Sequence, residues 1–218
     1  FKEVGSERGI AIDDSGTAKA GMGATAFDLD YDGDFDLLVT NIFSESDSLF
    51  QNMGNFFLDV TRRRGLAAET RPFTRWGIAL EDFDNDGNID LFEATGGVVS
   101  RPDRFSTNDP LAEPNLLFQL GQDERFKIVE PKGGTMIPII LTAHGVAAGD
   151  IDGDGGVDLV IVNKDAQVNI LRNVIEERGN WISFRVLNIN GADALGARLV
   201  LLLENGQRMY KQVVTSQG

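Results

Sequence analysis

Cysteine is absent from the sequence, and histidine occurs only once. Without cysteine the chain can form no disulfide bond, no thiolate metal site and no cysteine nucleophile. A zinc site is not expected either, because zinc is held mainly by several Cys or His ligands. The compartment stays open on this ground, because bound calcium can stabilise an extracellular protein that has no disulfides.

Basic residues and long apolar runs are also scarce. Lys and Arg total 20 against 34 Asp and Glu, which gives a formal net charge of −14. Nucleic acid and anionic membranes would be repelled by this charge, so we expect cations or a basic partner instead. The longest apolar run, residues 199–203, is the size of a strand and far short of the ~20 residues that cross a bilayer. Direct membrane insertion is therefore not expected.

Glycine and aspartate recur together in a repeated pattern. Residues 23–37, 77–91 and 145–159 align without a gap and share the pattern G-x-x-x-x-D-x-D-x-D-G-x-x-D-L. Self-similarity of this kind marks a repeat architecture. A single Asp-Gly pair would indicate only a hairpin turn, but a turn does not need four aligned aspartates.

The residues around each pattern predict short strands, because they are apolar and β-branched and show no helical period. The predicted second, third and fourth strands lie at 37–41 and 159–163, at 49–52, 117–119 and 171–173, and at 57–60 and 126–129. Four short strands joined by turns are typical of a propeller blade. We therefore predict an all-β fold: a partial β-propeller of four-stranded blades with calcium loops, plus a small C-terminal β segment.

The N-terminus matches the outer end of a blade. Phe1, Glu3, Val4, Gly9 and Ile10 correspond to Phe57, Asp59, Val60, Gly65 and Leu66. The chain is thus expected to begin in the last strand of one blade and to continue through three more. A closed propeller has four to eight blades, so we expect a larger propeller or a ring completed by another chain.

The loop D-x-D-x-D-G-x-x-D supplies the oxygen ligands that Ca²⁺ prefers. Positions 1, 3 and 5 aim carboxylates at one point, Gly at position 6 permits the turn, position 7 offers a carbonyl, and position 9 adds a fourth carboxylate. Magnesium and manganese remain open as alternatives. In the third loop Gly153, Gly155 and Gly156 predict greater flexibility and weak or partial occupancy.

An EF-hand is the main alternative interpretation of the second loop. Residues 82–93 fit its pattern, including Glu93 at position 12. The other two loops have Val39 and Ile161 there, and strand-like runs flank all three loops where an EF-hand needs helices. We therefore interpret Glu93 as a coincidence.

These loops resemble the FG-GAP/VCBS repeats, the calcium-binding blades also found in integrin α-chain propellers. The resemblance covers residues 1–175. Residues 176–218, with the segments 179–186 and 194–198, resemble the start of an ASPIC/UnbV domain, which follows such repeats in proteins similar to cartilage acidic protein and in bacterial secreted proteins. The resemblance implies up to three calcium ions. Their ligands would be Asp28, Asp30, Asp32, Asp34 and Asp36; Asp82, Asp84, Asp86, Asn88 and Asp90; and Asp150, Asp152, Asp154, Gly156 and Asp158, with position 7 acting through its carbonyl.

These features predict a non-catalytic calcium-binding module for protein binding, adhesion or assembly. A secreted, periplasmic or cell-surface location is expected, because such loops suit millimolar extracellular calcium, ~10⁻³ M. The partner would be a protein or a further chain that completes the propeller, with a glycan as another candidate. Two alternatives stay open: a metal-dependent propeller hydrolase or lyase acting on polysaccharide, and a peripheral subunit of a large membrane-bound complex.

Other residues receive local interpretations. The stretch 95–114 is a predicted insertion between two strands and the best candidate for a contact loop. Trp76 and Trp181 are interpreted as core or interface anchors. His144 is interpreted as a packing or surface residue, because no Ser or carboxylate is placed to make it catalytic.

Overall fold

The computed structural model describes residues 1–101, 104–105, 107–204, 206 and 208–213. These residues form antiparallel β-sheets with little helix, so the predicted all-β class is confirmed. Two short helices, α1 (Gly5–Arg8) and α2 (Leu66–Thr70), and a 3-10 turn (Lys132–Gly134) accompany the strands. None of the described helices is long enough to cross a membrane. Part of the predicted C-terminal unit, at 205, 207 and 214–218, lies outside the described residues, as does Pro102 of the insertion.

Three sheets follow one another along the chain. Their strands are β1 (Gly23–Phe27), β2 (Asp36–Thr40), β3 (Ser48–Asn52) and β4 (Phe57–Asp59); β5 (Arg75–Glu81), β6 (Asp90–Thr95), β8 (Leu116–Leu120) and β9 (Phe126–Ile128); and β11 (Ala143–Gly149), β12 (Asp158–Asn163) and β13 (Asn169–Leu171). Each sheet is a meander in which neighbours in sequence pair antiparallel, apart from β7 in the insertion of the second sheet. The third sheet has three described strands, one fewer than a predicted blade, and no described sheet closes on itself.

Two small two-stranded pairs complete the described strands. β7 (Glu113–Pro114) pairs with β10 (Ile140–Leu141), and β14 (Arg198–Leu202) pairs with β15 (Arg208–Gln212). β7 lies within the stretch 95–114, between β6 and β8, so the predicted insertion is confirmed at that place. The pair β14–β15 forms the described part of the predicted C-terminal β segment.

The first two strands of each sheet share one register. Phe27 pairs with Asp36, and Glu81 and Gly149 pair with Asp90 and Asp158 in the same way. Each aspartate loop therefore connects the first strand of its sheet to the second, and it joins them at equivalent residues in all three sheets. This common register follows from the equal length of the three loops, because loop length and turn geometry fix the register of a hairpin.

The glycines that open the first two patterns let the first strands of neighbouring sheets approach one another. A Cβ atom on Gly23 would lie 2.1 Å from the carbonyl oxygen of Trp76, and one on Gly77 would lie 2.7 Å from the amide nitrogen of Val146. β1 therefore passes beside β5, and β5 beside β11, only because these positions carry no side chain. At Gly145 the nearest atom would be Cβ of Val162 at 3.7 Å, an ordinary contact.

Two hydrophobic cores separate the three sheets. The first contains Phe27, Leu49 and Leu91, and the second contains Phe92 and Ile161. Leu91 and Phe92 are neighbours on β6 and enter different cores, because successive side chains of a strand point to opposite faces. The second sheet is thus covered on both faces, which explains why every residue of β6 is buried.

The outer face of the third sheet is open. Val162 and Ile170 are 51% and 66% exposed, whereas Thr40 and Leu49, at the matching places of the first sheet, are fully buried. Thr40 and Leu49 are covered because the second sheet packs on that face. Among the described residues nothing comparable packs on Val162 and Ile170, so the third sheet presents an apolar surface.

The N-terminal segment differs from its prediction in one respect. Residues 1–4 form no strand, and α1 follows directly. A strand needs a neighbour for its backbone hydrogen bonds, and no described strand pairs with these residues. Gly9 nevertheless matches Gly65: both have a left-handed backbone, and a Cβ atom would lie 2.9 Å and 2.7 Å from the carbonyl oxygens of Phe57 and Phe126.

Candidate metal sites

The three aspartate loops, 28–36, 82–90 and 150–158, are the first hairpin turns of the three sheets. Their backbones bend alike, with left-handed residues at positions 4 and 6. These residues are Tyr31 (φ 58°), Asn85 (φ 55°) and Gly153 (φ 75°) at position 4, and Gly33 (φ 92°), Gly87 (φ 92°) and Gly155 (φ 83°) at position 6. The second loop lies between strands β5 and β6, so the EF-hand interpretation is excluded.

The aspartate at position 1 organises each turn by accepting backbone N–H groups, two in each of the first two loops and three in the third, where Gly153 also donates at 2.8 Å. Asp28 accepts from Asp32 at 3.1 Å and from Gly33 at 3.0 Å. Asp82 and Asp150 accept from positions 5 and 6 of their own loops at 2.8–3.1 Å. Each carboxylate keeps further lone pairs that could bind a cation, since an ionised carboxylate has about four acceptor sites.

The aspartate at position 9 joins the loop to the third strand of its sheet. Asp36 accepts the N–H of Leu29 at 2.9 Å and that of Asn52 at 2.7 Å. Asp90 accepts from Phe83 and Leu120, and Asp158 accepts from Ile151 and Asn173. Both oxygens of each position-9 carboxylate are thus already engaged by the backbone, so this residue has a structural role whether or not it also binds a metal.

Three groups of aspartates have a ligand atom each within 4.8 Å of one another. They are Asp28, Asp30 and Asp32; Asp82, Asp84 and Asp86; and Asp150, Asp152 and Asp158. Oxygens on opposite sides of a Ca²⁺ ion lie about 5 Å apart, since each Ca–O distance is about 2.3–2.6 Å. The oxygen donors and their spacing in the first two loops therefore fit a hard divalent cation.

The positions of the predicted ligands differ between the loops. In the first two loops positions 1, 3 and 5 come together, and Asp36 and Asp90 lie outside the group. In the third loop Asp158 belongs to the group and Asp154, at position 5, does not. Position 7, occupied by Asp34, Asn88 and Gly156, donates its N–H to the position-5 carboxylate at 2.8 Å in every loop.

Burial and like charge raise the pKa values of four aspartates in the first two loops. Burial is the main cause at Asp36 and Asp82, whose pKa values rise to about 6, and at Asp90, whose pKa rises to about 7. The pKa of Asp28 is raised for the same reason. A divalent cation would remove this mutual repulsion.

In the third loop one aspartate has a lowered pKa. A hydrogen bond from Arg178 lowers the pKa of Asp154 to about 2. The pKa falls because a guanidinium that faces a carboxylate favours its ionised form.

One residue of the third strand touches position 3 of each loop. Gln51 donates its side-chain amide to Asp30 at 2.5 Å, and Gln119 donates to Asp84 in the same way. In the third sheet Arg172 takes this place, with its Nε 2.6 Å from Asp152. The first two loops thus have a neutral partner at this point, and the third has a cation.

The loops also contact one another. The Tyr31 hydroxyl donates to the carbonyl of Gly87 at 2.9 Å, and the Asn85 side-chain amide donates to the carbonyl of Gly155 at 3.1 Å. In both cases position 4 of one loop reaches position 6 of the next.

The two tryptophans and the histidine take different environments. Trp76 is half-buried, and its Nε1 donates to the carbonyl of Gly96 at 2.8 Å. Its ring centroid lies 4.5 Å from that of the exposed His144, which confirms a packing role for the histidine. Trp181 is 51% exposed and covers Gly155, so it contacts the third loop and is not in a core.

Two clusters of buried charge were not predicted from the sequence. Arg75, Asp47 and Glu93 are all fully buried, and Arg75 donates to Asp47 from Nε at 2.8 Å and from Nη2 at 2.6 Å. Burial and the neighbouring Asp47 raise the pKa of Glu93. Within the insertion, Glu113 accepts from Arg101 at 2.6 Å and from Arg104 at 2.8 Å. Charges of this kind give no periodic signal in a sequence.

A cavity of about 570 Å³ lies between β1, β5 and the pair β14–β15. Asp28 is the one carboxylate among its described lining residues, which also include Arg198, Tyr210 and Lys211. Lys211 is already paired with Glu81 at 3.2 Å. Hydrolysis of a glycosidic bond generally needs two carboxylates facing the same bond, and this cavity does not offer them.

No model of a known protein family matches the chain, and no curated protein matches it either.

Proposed function

We propose that the chain is a calcium-stabilised, non-catalytic β-propeller module for protein binding, adhesion or assembly outside the cytoplasm. The observation that carries this proposal is the grouping of Asp28, Asp30 and Asp32, and of the matching residues in the second loop, within 4.8 Å of one another. Such groups repel each other when ionised, and a cation turns that repulsion into a link between the first two strands of a sheet.

The order of the sheets supports the propeller part of the proposal. Three meanders with the same register pack in series through two cores, and their first strands lie side by side. Residues 1–175 would then form blades, and residues 176–218 would begin an ASPIC/UnbV-like domain. The proposed blades leave the ring incomplete within the described residues.

The open face of the third sheet supports a protein partner. Val162 and Ile170 occupy the places of residues that are fully buried in the first sheet. Gly145 lies at the place where Gly23 and Gly77 meet a neighbouring strand, and it has room for one. A further blade, from this protein or from another chain, would cover the apolar side chains as the second sheet covers the first.

A location outside the cytoplasm follows from the proposed ion. Loops of this type are well suited to calcium near 10⁻³ M, roughly the extracellular level. In a compartment poor in calcium the raised pKa values of Asp82 and Asp90 would reflect a standing destabilisation.

Thermal unfolding with and without calcium tests the proposal. An ion present at 100 times its Kd stabilises a protein by about 2.7 kcal/mol, and for a chain of this length this raises Tm by roughly 5–10 °C per site. Addition of a chelator should reverse the rise. The variant Asp82→Asn/Asp84→Asn should lose the part of the calcium-induced rise in Tm that one site contributes. Asp165→Asn, which changes an exposed aspartate outside the loops, should keep the full rise in Tm.

Two outcomes would contradict the proposal. A Tm that responds neither to calcium nor to chelator would show that the loops are turns without an ion. Turnover of a polysaccharide that Asp84→Asn abolishes would show that the module is an enzyme.

A further inference from the structure

The third loop differs from the first two in the partners of its carboxylates. Arg178 donates from Nη1 to Oδ1 of Asp154 at 3.0 Å, and Nη2 of Arg172 lies 3.6 Å from Oδ2 of the same residue. Arg172 also contacts Asp152 through Nε at 2.6 Å. Among the described residues no ion pair reaches the first or the second loop. Two guanidinium groups therefore lie where the other loops have only carboxylates and neutral amides.

The glycines of the third loop make room for these partners. A Cβ atom on Gly156 would lie 1.6 Å from Nη1 of Arg178, and one on Gly155 would lie 2.0 Å from Nε1 of Trp181. Both glycines are buried although they lie in a surface turn. At position 7 the other loops carry Asp34 and Asn88, whose side chains would occupy the space that Arg178 takes here.

The segment that carries Arg178 also contacts the second loop. The N–H of Gly179 donates to the carbonyl of Asp84 at 2.9 Å, and a Cβ atom on Gly179 would lie 1.9 Å from the carbonyl oxygen of Asn85. Residues 178–181 thus cross two adjacent loops, with Arg178 and Trp181 inserted at the third.

We propose that the third loop is the docking site for residues 178–181 of the same chain, with Arg172 and Arg178 in place of a tightly bound calcium ion. The protein then takes up two calcium ions tightly, and a third binds weakly because it must displace Arg178 from Asp154. This inference rests on the proposed function, since it takes the first two loops to be calcium sites.

Chemistry and geometry agree on this assignment. A guanidinium and a calcium ion compete for the same carboxylate lone pairs, so Asp154 cannot serve both fully. Asp154 is also the predicted ligand that lies outside the group of aspartates in its own loop. Breaking a charge-assisted hydrogen bond should weaken the third site by roughly tenfold to a hundredfold relative to the first two.

Calcium titration of the full chain tests the stoichiometry. Isothermal titration calorimetry of chelator-stripped protein, with native mass spectrometry to count ions, should show two tight sites and a third at least roughly tenfold weaker. The variant Arg172→Gln/Arg178→Gln makes position 172 resemble Gln51 and Gln119 and should show three ions of similar affinity. Arg185→Gln, which removes an exposed arginine paired with Asp193, is the matched control. It should keep two tight calcium sites and the weak third site.

Indole NMR signals give a second readout on the unaltered chain. The N–H signal of Trp181 should shift most in the weak phase of the titration, when Arg178 leaves Asp154, with a smaller shift in the tight phase because residue 179 contacts the second loop. The signal of Trp76, whose N–H is bonded to Gly96, should stay in place throughout that phase.

The outcomes separate the inference from the proposed function. Three equally tight ions in the unaltered protein would overturn the inference and leave the proposed function standing. Two ions in both the unaltered protein and the double arginine variant would also overturn it, since the arginines would then not be the cause. Binding of no ion at all would overturn the proposed function itself, and the inference with it.

Discussion

Acidification should stabilise the calcium-free protein, because burial raises the pKa of Asp90 to about 7. An aspartate in the unfolded chain titrates near pH 3.9. Between these values the folded protein holds a proton that the unfolded chain has lost, so the free energy of unfolding falls as pH rises and grows as pH falls. Asp36 and Asp82, whose pKa values rise to about 6, act in the same direction.

The size of this stabilisation follows from the pH range over which Asp90 takes up its proton in the folded protein. Each pH unit is worth at most about 1.4 kcal/mol for one proton. Asp90 is already half protonated near pH 7, so its contribution between pH 7 and pH 5 is about 2 kcal/mol. For a chain of this length the change raises Tm by about 4–8 °C between pH 7 and pH 5. Asp36 and Asp82 add less in this window, because they release their protons nearer to pH 6.

Bound calcium should reverse the sign of this pH dependence of stability. Bound carboxylates must be ionised, so protons compete with the ion, and the loaded protein should lose stability on acidification. Melting curves at pH 5, 6 and 7, recorded in chelator and in millimolar calcium, measure both slopes. Groups remote from the loops, such as Glu93 and His144, contribute equally to the two series, so the difference between the slopes reports on the loops. A calcium-free protein whose Tm falls from pH 7 to pH 5 would refute the reasoning.

Two further predictions concern the scaffold. Asp47→Asn leaves the guanidinium of Arg75 buried without its carboxylate and should destabilise the protein by about 3–5 kcal/mol. Glu93→Gln keeps the size and removes a carboxyl whose ionised form burial disfavours. It should change stability by less than about 1 kcal/mol, so equal losses for the two variants in urea unfolding would contradict this view. Gly23→Ala places a Cβ atom 2.1 Å from a carbonyl oxygen and should destabilise by about 1–3 kcal/mol. Gly145→Ala, at the matching position, should be neutral within about 0.5 kcal/mol in thermal melts, and a loss like that of Gly23→Ala would count against the close-approach argument.

The loops and the sheets around them could be predicted from the sequence. The pattern of aspartates and glycine fixes the turn, because Gly33 and Gly87 adopt a backbone conformation that a side chain disfavours. Consecutive apolar residues such as Leu91 and Phe92 indicate a strand that is buried on both faces. These signals are local, so they survive in a single sequence without knowledge of the fold.

The side chains that contact the third loop could not be predicted from the sequence, because these contacts join residues that are far apart in the chain. Arg178 is 24 residues from Asp154 in the sequence, and no period or motif links them. Gly155 and Gly156 were interpreted as a source of flexibility, whereas the structure uses them as space for Trp181 and Arg178. A glycine in the sequence indicates that space is available, but only the folded structure shows which side chain fills it.

The hydrogen bonds between neighbouring loops would make the proposed ion binding a collective property. The second loop receives the Tyr31 hydroxyl from one side and gives the Asn85 amide to the other. An ion that orders one loop therefore reduces the entropy that the next loop must lose, which is positive cooperativity without any change of shape. The middle loop shares a bond with both neighbours, so losing its ion should loosen all three turns, whereas losing the ion of the first should be felt on one side only.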